Sequence, residues 1–255
     1  MPKKKASRKN NEIKFLEDSL NNNGAAQFYG PKQKKWSTHD LKTIKPLTPS
    51  QQDFFHAFFE NDHICAHGSA GTGKTYLAFY LALNEILNPK TPQNRIIVVR
   101  SVVPTREIGF LPGDLNEKVS VYESPYKDIC AELIGRPSTY DDMKESGLIK
   151  FMPTSFIRGL TWEDAIVIVD ECQNMCFHEI NSIVTRLGQN SRIIFTGDTS
   201  QTDLRPVECG MKKLLEVVGN IQTFETVTFT YHDIVRSDIV KSWIVATEQL
   251  ELAAA

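Results

Sequence analysis

The sequence has no apolar run of the roughly 18 residues that a membrane-spanning helix needs, so none of it is placed in a bilayer. Its basic N-terminus is not followed by an apolar stretch, which excludes a secretory signal. Cysteine is sparse. Cys65, Cys130, Cys172, Cys176 and Cys209 are odd in number and widely spread, which fits free thiols in a reducing compartment, by default the cytoplasm. Cys172, Cys176 and His178 lie close together but lack the second ligand pair of a zinc site, and packing within a helix explains them. There is no internal repeat.

What is present is an ordinary globular composition, 41% hydrophobic and 24% charged, in 255 residues. That length suits one good-sized domain or at most two small ones. The net charge of −2 hides a division. Residues 1–45 hold eleven Lys/Arg against four Asp/Glu, whereas residues 46–255 hold eighteen against twenty-seven. The first 45 residues are polar and poor in aliphatics, so they read as a largely disordered arm. A basic arm on an acidic body suits contact with nucleic acid; a solubilising tail has the same composition.

Folded structure is expected over residues 46–251. Thr48-Pro49-Ser50-Gln51 reads as a helix start with proline at the first helical position, followed by Phe54, Phe55, Phe58 and Phe59. Short apolar runs then alternate with helical patterns. The runs are 63–67, 95–100, 149–152, 165–169, 192–195 and 224–230, and the helical stretches are 75–87, 177–187, 211–218 and 237–250. Strands alternating with helices predict an α/β fold, a parallel sheet covered on both faces. Residues 101–147 form a long irregular insertion, expected to carry its own helices. The end of the chain, 252–255, closes with three alanines and is set aside as a cloning remnant.

Three segments carry chemistry. Gly68-Ser69-Ala70-Gly71-Thr72-Gly73-Lys74-Thr75 matches G-x-x-x-x-G-K-[ST] in full, between an apolar strand and an amphipathic helix. Glycines let backbone N–H groups turn inward around phosphates, and the helix N-terminus adds partial positive charge. Lys74 is expected at the β- and γ-phosphates and Thr75 on Mg²⁺. Asp170-Glu171 ends a strand: Asp170 is placed to hold the Mg²⁺ shell, and Glu171 to orient or deprotonate the attacking water. Gln201, after Thr196-Gly197-Asp198-Thr199-Ser200, is placed to sense the γ-phosphate, although those residues are also common turn material.

Asp170-Glu171-Cys172-Gln173 and Gly197-Asp198-Thr199-Ser200-Gln201 resemble motifs II and III of superfamily 1 helicases. Four further segments resemble the PhoH family of ATPases: Thr48-Pro49-Ser50-Gln51, Gly109-Phe110-Leu111-Pro112-Gly113-Asp114, Arg158-Gly159-Leu160-Thr161 and Asp233-Ile234-Val235-Arg236. The likeness spans roughly residues 46–245; Cys172 departs from the alanine usual there. It implies a P-loop NTPase with a RecA-like sheet in a single ATPase domain, using ATP and Mg²⁺. It also implies that Gln51 reads the adenine edge and that Arg236 acts as an arginine finger, with Arg186 the second candidate. Arg100, Arg106 and Arg158 could meet a nucleic-acid backbone or make surface ion pairs. Trp162 and Trp243 are expected in the core or at its edge.

A monomeric helicase of the resembled superfamily closes two such domains on ATP, and only one is legible here. The expectation is therefore a homo-oligomer, with a hexameric ring favoured, in which one subunit's arginine completes its neighbour's site. The leading functional reading is an ATPase coupled to RNA or single-stranded DNA, with unwinding as one outcome. The alternative is an ATP-switched adaptor for a protein partner. A small-molecule kinase fits Glu171 and Gln201 poorly.

Overall fold

The computed structural model describes residues 36–60, 63–102, 115–198 and 209–254. Their elements run α1 (Pro49–Glu60), β1 (His63–Gly68), α2 (Lys74–Ile86), β2 (Arg95–Arg100), α3 (Leu115–Ile134), α4 (Thr139–Glu145) and β3 (Ile149–Pro153). They continue with β4 (Ala165–Asp170), α5 (Phe177–Val184), β5 (Arg192–Gly197), α6 (Met211–Val218), β6 (Phe224–Phe229) and α7 (Asp238–Ala254). The six strands pair in parallel in the order β3-β2-β4-β5-β1-β6. This is the parallel α/β sheet that the alternation predicts, in the P-loop NTPase arrangement that the loop motif and the resemblance imply.

Side chains alternate across a strand with period 2, so an apolar run buried on both faces feeds two cores. Ile64, Ile96, Val98, Ile166, Ile168 and Ile194 pack with residues of α1, α2, α3 and α4. Cys65, Ile97, Val99, Val167, Val169 and Phe195 pack on the opposite face with α5 and α6. Helix α2 is buried along most of its length from Leu77 to Leu83, which is why its sequence lacks a polar stripe. Its end at Ile86 follows from Pro89 just downstream.

The order of the central strands positions the site. Strand β5 lies between β1 and β4, so its tip at Gly197 stands between the loop after β1 and the carboxylates after β4. In open parallel sheets the crevice beyond the strand C-termini is where ligands sit.

Two expectations change. The arm drawn over residues 1–45 is too long at its C-terminal end, because Trp36 and Leu41 belong to the core. Trp36 lies under the Arg136 guanidinium, 5.4 Å from the ring centroid, and Lys42 N–H donates to the Leu133 carbonyl at 2.8 Å. One buried tryptophan anchors an otherwise polar segment, a contribution of about 3–5 kcal/mol on the scale of Trp→Ala losses. Trp162 is buried as expected, but Trp243 is 70% exposed on α7. The insertion supplies α3 and α4; Arg106 and Gly109–Asp114 lie outside the described residues.

The thiols divide by depth. Cys65, Cys130 and Cys172 are buried, and burial pushes Cys65 and Cys130 up to about 12. Cys176 and Cys209 are partly exposed. Because the thiolate is the reactive form, Ellman titration of the native protein should give two fast thiols and five after denaturation. Fast reaction of all five in the native protein would contradict this packing.

Candidate nucleotide site

The loop from Gly68 to Thr75 turns on three glycines with positive φ: Gly68 at 120°, Gly71 at 71° and Gly73 at 86°. Gly73 then starts α2 from a left-handed conformation, which an L side chain rarely adopts. Lys74 folds across the loop and donates to the Gly68 and Ser69 carbonyls, both at 2.7 Å, and to Thr72 Oγ1 at 3.3 Å. Burial pulls its pKa down, opposed by Asp198, Glu171 and Asp170. Thr72 Oγ1 donates to the Ser69 carbonyl at 3.0 Å, stiffening the turn.

Thr75 and Asp170, 95 residues apart, meet directly: Thr75 Oγ1 donates to Asp170 Oδ1 at 2.7 Å. Thr196 Oγ1 donates to the same oxygen at 2.7 Å, and the Tyr126 hydroxyl donates to Oδ2 at 2.8 Å. A buried carboxylate with three hydroxyl donors has both oxygens satisfied and fixed in direction. A hydroxyl and a carboxylate oxygen in contact form the hard oxygen pair that suits Mg²⁺, whose remaining ligands are ordinarily water and phosphate.

Glu171 follows in a left-handed backbone conformation, φ 51°. A non-glycine residue there costs on the order of 1–3 kcal/mol and persists where its surroundings impose it. Its side chain accepts from Gln173 Nε2 at 2.6 Å. Burial and the neighbouring Asp170 push its pKa up, against the Gln173 bond, Arg100 and Lys74. Gln173 spans two strand tips, since its Oε1 accepts from Asp198 N–H at 3.0 Å. Gly197 makes that approach possible: a Cβ there would lie 2.6 Å from Cys172 Sγ and 3.0 Å from Gln173 Oε1.

Two segments distant in sequence converge on the other side of the loop. Ser50 Oγ donates to Asp233 Oδ2 at 2.9 Å, and Thr230 N–H does so at 2.9 Å. Burial works against the Asp233 charge, but the bonds from Thr230, Thr48 and Ser50 prevail and hold its pKa down. Val235 N–H donates to the Gly71 carbonyl at 3.1 Å. Gln51 is buried, with Oε1 accepting from Leu47 N–H at 2.8 Å and Nε2 donating to the Thr72 carbonyl at 3.0 Å. Its amide thus ties α1 to the phosphate loop.

A cavity of about 540 Å³ lies over these groups, lined by Ala70–Tyr76, Asp170, Glu171, Gly197, Asp198, Arg100, Arg236 and the α3 residues Pro125, Asp128, Ile129 and Glu132. The structure therefore brings Lys74, Thr75, Asp170, Glu171 and Arg236 to one cavity. Arg186 is not among its lining residues: Nε donates to the Ser182 carbonyl and Nη1 to the Leu160 carbonyl, each at 3.4 Å. Gln201 lies outside the described residues. The sequence reading missed Tyr126, whose only signal was an apolar stripe through the insertion (Tyr122, Tyr126, Ile129, Leu133), and gave no role to Gln173.

A family described as PhoH-like protein matches residues 43–248, most of the chain. The chain belongs to this family. Relatives include a PhoH-like protein of Bacillus subtilis, 37% identical over 82% of this chain, and one of Synechocystis, 38% identical over 82%. Protein PhoH of Escherichia coli K12 is 34% identical over 78%. The chain spans 65%, 63% and 57% of the lengths of these three relatives. A solved structure of Pif1 helicases, titled for DNA unwinding at forked dsDNA, aligns with 13% identity and a TM-score of 0.31, over 74% of this chain and 44% of that one. No helix among the described residues is long and apolar enough to cross a membrane.

Proposed function

We propose that this chain binds ATP with Mg²⁺ and hydrolyses it, coupling the cycle to RNA or single-stranded DNA. The observation that carries the hydrolytic reading is the contact of Thr75 with Asp170, beside a Glu171 held in a left-handed backbone conformation. A phosphate loop alone binds nucleotide. A carboxylate held next to the metal-binding pair adds a group that activates water.

In this reading Lys74 leaves the Gly68 and Ser69 carbonyls for the β- and γ-phosphates, and the N–H groups of Gly71–Thr75 cradle them. Thr75 and Asp170 would hold Mg²⁺, which would supply charge neutralisation to the phosphates. Glu171 takes the proton of the attacking water, and Gln173 links Glu171 to the Asp198 loop, where Gln201 follows as the γ-phosphate sensor. Gln51, on the α1 side of the loop, contributes to adenine recognition. Arg236, exposed at the cavity rim beside Gly71, adds a cation there, and assembly into a ring is the expected oligomer.

Nucleic-acid coupling is supported by the basic N-terminal residues; the acidic remainder favours the adaptor reading. Phosphate release measured with and without single-stranded RNA separates them. Coupling predicts a several-fold rise in turnover at low salt that disappears as salt rises, because phosphate contacts release counterions. A rate indifferent to RNA, with no salt-sensitive RNA binding, would instead support the adaptor.

A further inference from the structure

The family resemblance implies an arginine finger at Arg236, with Arg186 the second candidate, supplied in the expected ring by a neighbouring subunit. The geometry points to Arg100, at the tip of β2, as the arginine that this chain brings to the transferring phosphoryl group of its own nucleotide. The inference rests on the ATPase reading above.

The first ground is direction. Glu171 marks where water attacks, so the γ-phosphate must lie between Lys74 and the tip of β4. Arg236 lines the same cavity but at the Gly71 turn of the loop. Its Cγ is 3.1 Å from where a Cβ on Gly71 would be, on the side of the loop that Gln51 and the 231–236 turn cover. Arg100 is paired in the sheet with Asp170 itself and lines the same cavity as Glu171 and Lys74. Among the described residues, Arg100 and Lys74 both favour the charged form of Glu171.

The second ground is that Arg100 is held in place. Its guanidinium lies 5.8 Å from the Tyr122 ring centroid and acts on the Tyr126 hydroxyl, which donates to Asp170 Oδ2 at 2.8 Å. Tyr126 is fully buried and stacks on Phe79 at 5.1 Å, so the hydroxyl is not free to follow a wandering side chain. Burial alone would weaken the charge on Arg100, but Tyr126, Asp170 and Glu171 more than restore it. A planar cation fixed before substrate arrives stabilises developing charge without reorganising during the reaction.

In the step itself, the water oxygen forms a new bond to the γ-phosphorus. The bond to the β–γ bridging oxygen breaks with its electron pair remaining on ADP, and the water proton passes to Glu171. Arg100 faces the equatorial oxygens across which charge spreads as the phosphoryl group passes between the two. Tyr122 beneath its guanidinium and Tyr126 on Asp170 make the insertion helix α3 part of the cavity wall.

The test uses the full chain. Arg100→Ala should lower kcat about 10²–10³-fold while the Kd for ATP moves less than about fivefold. Arg100→Lys should recover little of the loss, since an ammonium lacks the planar fork. ADP–beryllium fluoride mimics the tetrahedral ground state and should bind Arg100→Ala as it binds wild type. ADP–aluminium fluoride mimics the planar phosphoryl group and should bind at least about 50-fold more weakly, following the same lost interaction. Equal loss of both complexes would mean a purely structural role and would overturn the assignment, as would wild-type kcat in Arg100→Ala. Mixing Arg100→Ala with Glu171→Gln subunits should leave turnover low, because the arginine serves its own site. Recovery in the mixture would place it on a neighbour and overturn the assignment. Wild-type protein that binds ATP but never cleaves it would remove the ATPase reading, and this inference with it.

Discussion

Glu171→Gln should leave ATP bound and uncleaved, with turnover lowered about 10²–10⁴-fold, the range that a positioned general base contributes. The substitution keeps the side-chain volume and an oxygen for the Gln173 amide, so that bond can survive, and with it the link from Gln173 to Asp198 N–H. It removes the proton acceptor, and it also removes a charge on Glu171 that burial and the neighbouring Asp170 disfavour. ATP affinity should therefore hold or rise while phosphate release stops. Lys74→Ala makes the useful contrast. It deletes three hydrogen bonds within the loop as well as the phosphate contact, so it should lose binding together with turnover. Rapid-quench measurement of cleavage on the enzyme distinguishes the two variants. Glu171→Gln cleaving at the wild-type rate would end the general-base assignment.

Gly68→Ala should be the most damaging single-methyl change in the phosphate loop. Gly68 adopts φ 120°, and an added Cβ would sit 1.9 Å from the Phe229 carbonyl oxygen. That oxygen is backbone, fixed by the parallel pairing of Gly68 with Phe229 at the end of β1 and β6, and it also accepts from Ser69 N–H at 3.1 Å. No rotamer change relieves such a clash, so the strands must separate at the point where the loop begins. The expected loss is above about 4 kcal/mol, the range reserved for named structural failures. At about 2–4 °C per kcal/mol for a domain of this size, the melting temperature should drop by roughly 10 °C or more. Gly135→Ala is the matched control. Gly135 has a similar positive φ of 82° but nothing within 4 Å of the added Cβ, so only the local backbone cost of about 1–2 kcal/mol applies. Thermal unfolding of the two variants side by side checks the argument. Equal melting temperatures would show that β6 yields.

Much of this was legible before the fold was described. Six short runs became the six strands; those of β2, β4 and β5 are the continuous apolar segments by which buried parallel strands announce themselves, whereas β6 at the sheet edge alternates. The phosphate loop and Asp170-Glu171 were readable because their chemistry forces residue types at fixed spacing. Tyr126 was not, since a tyrosine on an amphipathic helix looks the same whether it fills a core or bonds a carboxylate across the sheet. Arg100 was visible only as a cation at a strand end; its significance comes from β2 lying next to β4, and strand order leaves no mark in local sequence. Trp36 shows the converse failure, where a polar stretch conceals one deeply buried side chain.

The tie between Val235 and Gly71 has a mechanical consequence. The segment joining β6 to α7 is bonded to the phosphate loop, and Ile244 of α7 lies 3.4 Å from where a Cβ on Gly71 would be. The outer side of the same helix presents Ile239, Trp243 and Leu250 to solvent, each at least 70% exposed. Helix α7 is therefore two-sided, with one side packed on the Gly71 turn and the other offering apolar surface to solvent. Displacing α7 or the segment before it would therefore pull on the Gly71 backbone itself.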